Sequence, residues 1–272
     1  MVKYEIILCW VFFISYVVRG QMISNTSARS VGLASSVATL DDITVLQMNP
    51  SVLTDLHSMQ IGLQNVSFIT SVGIEKNEVM LAIPIQKGGV GVFLQKTGND
   101  VYRILNGGVS YAIRLSNSLR LGVCLGDKNT AIKNYGSRNL LDVSIAIQGT
   151  LTDKITYGIS VQSLNVNGIK EQNVNPTYLF VGVKYTALTP TWSLYTEIEK
   201  SVITPIRMKI ACEYFISPSI SFRTGVMTSS YQISGGMGCL VKKRVKIDIG
   251  SSWQPILGFS TQVGIVFSSK PK

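Results

Sequence analysis

Side chains that ordinarily carry catalysis are sparse in this sequence, and their spacing does not assemble a reaction centre. His57 is the single histidine; it stands just before the first strand-like block and reads as a solvated turn residue. There is no Gly-x-Ser-x-Gly elbow, no His-Glu-x-x-His pair and no phosphate loop. Gly88-Gly89-Val90-Gly91 has the form of a turn entering a strand. Of the four cysteines, Cys9 lies in an N-terminal apolar run. Cys124, Cys212 and Cys239 show no CxxC spacing, so neither a disulfide framework nor a zinc site is indicated. Asn25-x-Ser27 and Asn65-x-Ser67 match the glycosylation sequon only formally. The expectation is a non-enzymatic protein with no catalytic residue, no cofactor and no metal.

What the spacing does offer is charge of both signs at alternate positions within apolar blocks: Arg114, Arg120, Asp142, Lys184, Glu197, Arg207, Lys209, Glu213, Arg223, Lys246 and Asp248. Residues two apart lie on one face of a strand, so these eleven share a polar face whose opposite face is aliphatic or aromatic. Gly122, Gly126, Gly158, Gly182, Gly225, Gly236, Gly238, Gly250 and Gly264 fall on the same polar face. Two roles are open to the charges: a network of ion pairs and water filling a narrow interior, or a conduction or ligand-binding path.

The elements that must position them are strands. Leu141-Asp142-Val143-Ser144-Ile145-Ala146-Ile147-Gln148 alternates without a break, and after Thr152-Asp153 so does Ile155-Thr156-Tyr157-Gly158-Ile159-Ser160-Val161-Gln162. Blocks of this kind run near 58–68, 77–86, 89–97, 104–115, 119–126, 140–151, 154–164, 177–187, 191–200, 206–216, 219–228, 231–241, 244–253 and 258–268. Tight turns at Gln86–Gly88, Ser116–Ser118, Thr152–Asp153, Thr189–Pro190, Ser217–Pro218 and Lys242–Lys243 alternate with longer connections, above all Asp127–Asn139 and Asn165–Pro176. An even strand number, short turns at one end and both termini at that end are the layout of an outer-membrane β-barrel. A soluble β-sandwich also alternates, but aromatic placement favours the barrel. Tyr111, Tyr157, Tyr185, Trp192, Tyr214, Phe222 and Phe267 lie on the apolar face near the tight-turn ends, as a periplasmic girdle requires. The fold class expected is all-β, a transmembrane antiparallel barrel of about 14 strands with a short N-terminal hatch. Val143, Ile145, Ile159, Val183 and Ile247 should face lipid, and an Arg at inward Ser144 or Ser160 should be tolerated.

Composition agrees. Charged residues make up 15% of the chain, below the roughly 25% usual for soluble domains, and mean hydropathy is +0.28. Lys3 followed by the apolar run Ile6–Val18 reads as a signal peptide. It is shorter than the ~20 residues a spanning helix needs, with cleavage placed after Gly20. Removing residues 1–20 takes away Lys3, Arg19 and Glu5, so 25 basic and 15 acidic residues become 23 and 14, and the charge falls from +10 to +9. The excess is dispersed, Lys242-Lys243-Arg244 being the one basic cluster, so a nucleic-acid partner is excluded. The domain organisation expected is signal peptide 1–20, hatch 21–56 and barrel 57–272, located in the outer membrane.

Ahead of the first strand, Ser27-Ala28-Arg29 is followed by the small residues Ala34, Ser35, Ser36 and Ala38, then by Asp41-Asp42 and Asn49-Pro50. Small residues allow close backbone approach, Arg29 and the two aspartates can satisfy charges inside a lumen, and Pro50 ends the segment. A hatch inside the barrel and a short helix against the periplasmic rim both suit it. This segment resembles the N-terminus of the PorV/PorQ family of outer-membrane proteins, relatives of the fatty-acid channel FadL. Ala34-Ser35-Ser36 stands where that family carries glycines, and Asn49-Pro50-Ser51-Val52-Leu53 where Asn-Pro-Ala-Gly-Leu is commoner. The resemblance implies fourteen strands and an adaptor or component of type IX protein secretion. The partners it implies are outer-membrane lipid and proteins of the secretion machinery or its cargo. The alternative is a FadL-like transporter of hydrophobic small molecules, which needs an apolar interior and long capture loops. The polar inner face and modest loops favour the adaptor.

Overall fold

The computed structural model describes residues 27–68, 73–164, 176–187, 191–229, 231–255 and 258–269. The signal peptide expected at 1–20, the turn Thr189–Pro190 and most of the connection Asn165–Pro176 lie outside them.

Fourteen strands form: β1 (Gln60–Phe68), β2 (Glu75–Ile85), β3 (Gly88–Gly98), β4 (Tyr102–Arg114), β5 (Leu119–Ile132), β6 (Gly136–Thr152), β7 (Ile155–Gln162), β8 (Tyr178–Thr186), β9 (Trp192–Ser201), β10 (Arg207–Ser217), β11 (Ile220–Met227), β12 (Gln232–Val241), β13 (Val245–Gln254) and β14 (Gly258–Ser268). Each pairs antiparallel with its sequence neighbours, and β1 pairs with β14, Leu63 opposite Ile265, so the sheet closes. Closure removes the unpaired edge that an open sheet would present to hydrocarbon.

Alternation decides which way every side chain points. On β9, Ser193, Tyr195, Glu197 and Glu199 are buried while Leu194, Thr196, Ile198 and Lys200 are exposed. Ile145, Ile159 and Val183 lie on the outer surface, and so do the girdle residues Tyr111, Tyr185, Tyr214, Phe222 and Phe267. The rings of Tyr185 and Trp192 meet across the β8–β9 turn at 5.8 Å.

Two expectations need correction. Asp127–Asn139 is not a loop: β5 runs on to Ile132 and β6 begins at Gly136, leaving 133–135 as the connection. Past Leu125 the outward residues become Asp127 and Asn129, and the side chains of Asn129 and Asn139 hydrogen-bond across the ladder. Where neither face meets lipid, the hydrophobic period vanishes although pairing continues. The second correction concerns the inner face. Ser144 and Ser160 are 3% and 0% exposed, because the lumen is filled.

The filling is the N-terminal segment. It comprises helix α1 (Ala28–Gly32), capped by Ser27, a 3-10 turn at Ile43–Val45 and a 3-10 stretch at Pro50–Asp55. Almost all of residues 27–54 is buried. Two apolar clusters hold it. Leu33, Val37, Leu40, Val45, Met48 and Val52 pack with Phe180, Tyr195, Ala211 and Met227 of β8–β11. Ile43, Leu46 and Leu53 pack with Met80, Ala82, Phe93, Ala112, Cys124 and Val266.

Arg in place of lipid-facing Val183 should cost about 2–4 kcal/mol near the bilayer midplane. Ser160→Arg should also destabilise, since the Ser160 hydroxyl donates to the Met48 carbonyl in a fully buried site. Urea unfolding in lipid vesicles checks both. Deleting residues 27–48 should restore tolerance at Ser160 and leave the Val183 penalty unchanged.

Candidate functional site

The lumen and the segment inside it form the candidate site. Inner-face glycines supply the seats. A Cβ on Gly250 would run into the Ala28 carbonyl, one on Gly158 into the Ala38 carbonyl, and one on Gly122 into the backbone of Pro50 and Ser51. Glycine at these wall positions is what lets segment backbone lie directly on strand backbone. Ala34 and Ser35, which stand where the resembling family has glycines, have φ of +54° and +61°. That is the left-handed region glycine enters without strain.

Buried backbone needs partners, and barrel side chains provide them. The Glu197 carboxylate accepts from the amides of Val37 and Ala38 at 2.8 and 2.7 Å, and the Lys209 ammonium donates to the Ser35 carbonyl at 2.7 Å. Gln148 donates to Leu40 O at 3.2 Å and Gln64 to Thr44 O at 3.0 Å. Asn49 ties the segment to itself, its amide donating to the carbonyls of Val37 and Ala38. Next to it Pro50 opens the last 3-10 stretch.

The charges fall into three groups. In the first, the Arg29 guanidinium meets Glu213 at 2.8 Å and Asp42 at 2.9 Å, and also meets Asp41. Glu213 meets Arg223 at 2.7 Å, Arg223 meets Asp248 at 2.6 Å, Asp248 meets Lys246 at 3.5 Å, and Lys246 returns to Asp42 at 3.1 Å. This is a closed ring of alternating sign that joins α1, the Asp41-Asp42 corner, β10, β11 and β13. Lys184 adds a fourth cation against Asp41 at 3.4 Å, which balances the group. The Tyr195 hydroxyl donates to Glu213 at 2.9 Å. In the second group Lys209 bridges Glu197 and Glu199 at 2.8 and 2.9 Å, and Arg207 meets Glu199 at 2.8 Å. In the third, at the tight-turn end, Asp55 pairs with Arg114 at 3.2 Å and with Arg120. Asp142 is inward as well, opposite Gly126, outside these groups.

Sequence reading passed over Glu199, Tyr195, Asp55, Lys76, Glu78 and Gln47. Parity with Glu197 would have found Glu199 and Tyr195. Lys76 and Glu78, paired at 3.2 Å, sit in Glu75-Lys76-Asn77-Glu78, where every residue is polar and alternation gives no parity. Gln47 shows its role only in three dimensions: its amide donates to Glu78 and to Gln95, and accepts from Asn106 at 3.2 Å. The reading of a uniformly polar inner wall is also corrected, because Met80, Ala82, Phe93, Ala112, Phe180, Tyr195 and Met227 line it beneath the segment.

Burial alone would raise the carboxyls of Asp41 and Asp42. Arg29 and Lys184 overcome this at Asp41, and Lys246 and Arg29 at Asp42, holding both well below the usual carboxylate range. Among the described residues no group of three or more His, Cys, Asp or Glu could hold a metal.

No family model matches the chain, and no curated protein matches it in sequence. Solved structures do share its fold. The CymD monoaromatic hydrocarbon channel superposes with a TM-score of 0.67 at 11% identity, over 89% of this chain and 97% of that one. The toluene transporter TbuX of Ralstonia pickettii gives 0.64 at 12%, over 88% and 96%. The toluene transporter TodX of Pseudomonas putida gives 0.64 at 10%, over 92% and 98%. This protein therefore shares the closed barrel fold of these solved structures and resides in the outer membrane.

Arg29→Ala would open the ring and take from Glu213 and Asp42 one of the two cations each meets, leaving Arg223 and Lys246. Breaking a buried charge network in this way costs up to about 3–5 kcal/mol. Residues 30–40 should then lose protection in hydrogen exchange while the barrel keeps its heat-modifiable migration. The depressed carboxyls of Asp41 and Asp42 contribute stability that is fully present above the unfolded value of about 3.9. It is lost as pH falls through their lower folded values. Protection of the wild-type segment should thus stay level from about pH 7 to pH 4 and decline only below that.

Proposed function

We propose that the protein is an outer-membrane transporter of small hydrophobic molecules in which residues 27–56 act as a movable hatch. The observation that carries this reading is the apolar inner wall under the segment: Met80, Phe93 and Ala112 on one side, Phe180 and Met227 on the other. When the segment moves off either seat, these apolar side chains face the lumen between the charges carried by the same strands. Such a surface binds aromatic or aliphatic solutes by the same burial of apolar area that now holds the hatch. The monoaromatic hydrocarbon channel and the two toluene transporters that share this fold support the same class of solute. In the resting state the lumen is full, so transport requires the hatch to yield.

A second reading is an adaptor in protein secretion, of the PorV/PorQ kind. It rests on the pattern Ser27-Ala28-Arg29, Asp41-Asp42 and Asn49-Pro50, and on short connections at the end opposite the tight turns, such as 99–101 and 133–135. Under this reading the hatch is a permanent brace and the partner is a protein.

One strain set separates the two. Transport predicts that a deletion mutant loses uptake of radiolabelled toluene or a short fatty acid while secreting normally, and that Phe180→Glu, still folded by heat-modifiable migration, loses uptake too. In planar bilayers, wild-type protein should conduct negligibly and the 27–48 deletion should conduct openly. Intact uptake with defective protein secretion in the deletion mutant would reject the transporter and favour the adaptor.

A further inference from the structure

The turn between β12 and β13 is unlike the other described turns at the same end of the barrel. Its sequence is Val241-Lys242-Lys243-Arg244, closed by a hydrogen bond from the Arg244 amide to the Val241 carbonyl at 3.0 Å. Both central residues lie in the left-handed region, Lys242 at φ +49° and Lys243 at φ +56°. Those are the φ signs of a type I′ hairpin turn, which favours Asn-Gly because a Cβ is strained there. Lysine at both positions sacrifices backbone comfort, and the folded chain returns nothing for it. All three cations are exposed, and none makes an ion pair among the described residues. The tight turns Ser116-Asn117-Ser118 and Ser217-Pro218-Ser219 carry no charge at all.

Position says what the cations face. Arg244 is pinned to the last strand, its carbonyl accepting from the Ser268 amide at 2.8 Å. Val245 pairs with Phe267, and both side chains belong to the outer, lipid-facing surface just inside the turn. The triad therefore sits where the apolar belt of this wall ends, at the short-turn end, which is periplasmic in outer-membrane barrels. Cations at that level meet the headgroups of the inner leaflet.

We propose that Lys242, Lys243 and Arg244 form a docking site for the phosphate of acidic phospholipids, represented by phosphatidylglycerol, in the periplasmic leaflet. Phosphatidylethanolamine also has a phosphate, but its amine cancels the charge. A net-negative headgroup is what three unpaired cations select, and each cation near an anionic surface is worth about fivefold in binding. The site fixes the rim at the seam of β12, β13 and β14. It is independent of what passes through the lumen.

The test uses the full mature barrel purified in gentle detergent, incubated with phosphatidylglycerol or phosphatidylethanolamine and examined by native mass spectrometry. Wild-type protein should retain phosphatidylglycerol over phosphatidylethanolamine. The double variant Lys242→Asn, Lys243→Gly supplies the preferred turn residues, so its heat-modifiable unfolding midpoint should stay level or rise while the preference falls on the order of tenfold. Lys87→Gln, which removes a cation from the β2–β3 turn, should leave the preference unchanged. Equal retention of the two lipids by the wild type, as an acidic protein occupant would produce, overturns the proposal. So does an undiminished preference in the double variant, or an equal loss in Lys87→Gln.

Discussion

Arg29 is 5% exposed and lies inside a protein-filled lumen, and a guanidinium there is tolerable only if carboxylates surround it. Its arrangement follows from that requirement. Glu213 reaches it from β10, while Asp41 and Asp42 come from a corner of the segment twelve residues further on. The remaining members of the ring, Arg223, Asp248 and Lys246, each neutralise the one before. The charges that alternate along β10, β11 and β13 are therefore there to be shared with the segment. Water in a wide pore would have made such pairing unnecessary.

The wall and the segment are complementary in shape as well as in charge. Glycine on the wall meets backbone or a small side chain of the segment at Gly250, Gly236, Gly225, Gly158 and Gly122, a track that follows the chain around the interior. Either side alone would be unsatisfactory. Without the segment the wall would show unpaired charges and bare apolar patches, and without the wall the backbone of residues 33–42 would lose partners such as Glu197, Lys209 and Gln148. Charge and apolar surface share strands, Tyr195 with Glu197 and Glu199 on β9 and Met80 with Lys76 and Glu78 on β2, so the apolar seats lie between charged positions of the same wall. Movement off the β2–β5 seat would break the Gln47 contacts and leave the Arg29 ring intact. Displacement from the other side would have to open the ring.

Legibility varied along the chain for physical reasons. Strand positions and facing were readable because a wall between lipid and a packed interior imposes a strict period of two. It failed where the outward residues are themselves polar, hence the misread end of β5 and start of β6 and the missed Lys76 and Glu78, which are buried inward between exposed Glu75 and Asn77. It also misled where inward residues are apolar. Phe93, Met80 and Phe180 look like ordinary hydrophobic strand residues, and only knowledge of what occupies the lumen distinguishes an apolar seat from a lipid-facing side chain. Ser144 and Ser160 appeared permissive for the same reason, since a small polar residue on an inner face signals open water until something is found lying against it.

The sequence by itself determined the class and scale of the protein: two-faced strands in number and length fit for an outer-membrane barrel, preceded by a segment rich in small residues, with Arg29 and an Asp-Asp pair spaced for internal charge. These are local properties, carried by the alternation and composition of neighbouring residues. Tertiary structure alone decided which charge meets which. Arg29 and Glu213 are 184 residues apart in the chain, and Gln47 finds Glu78, Gln95 and Asn106 on three different strands. Such pairings depend on the register of closure and on the path of the segment, and neither leaves a periodic trace in the order of the amino acids.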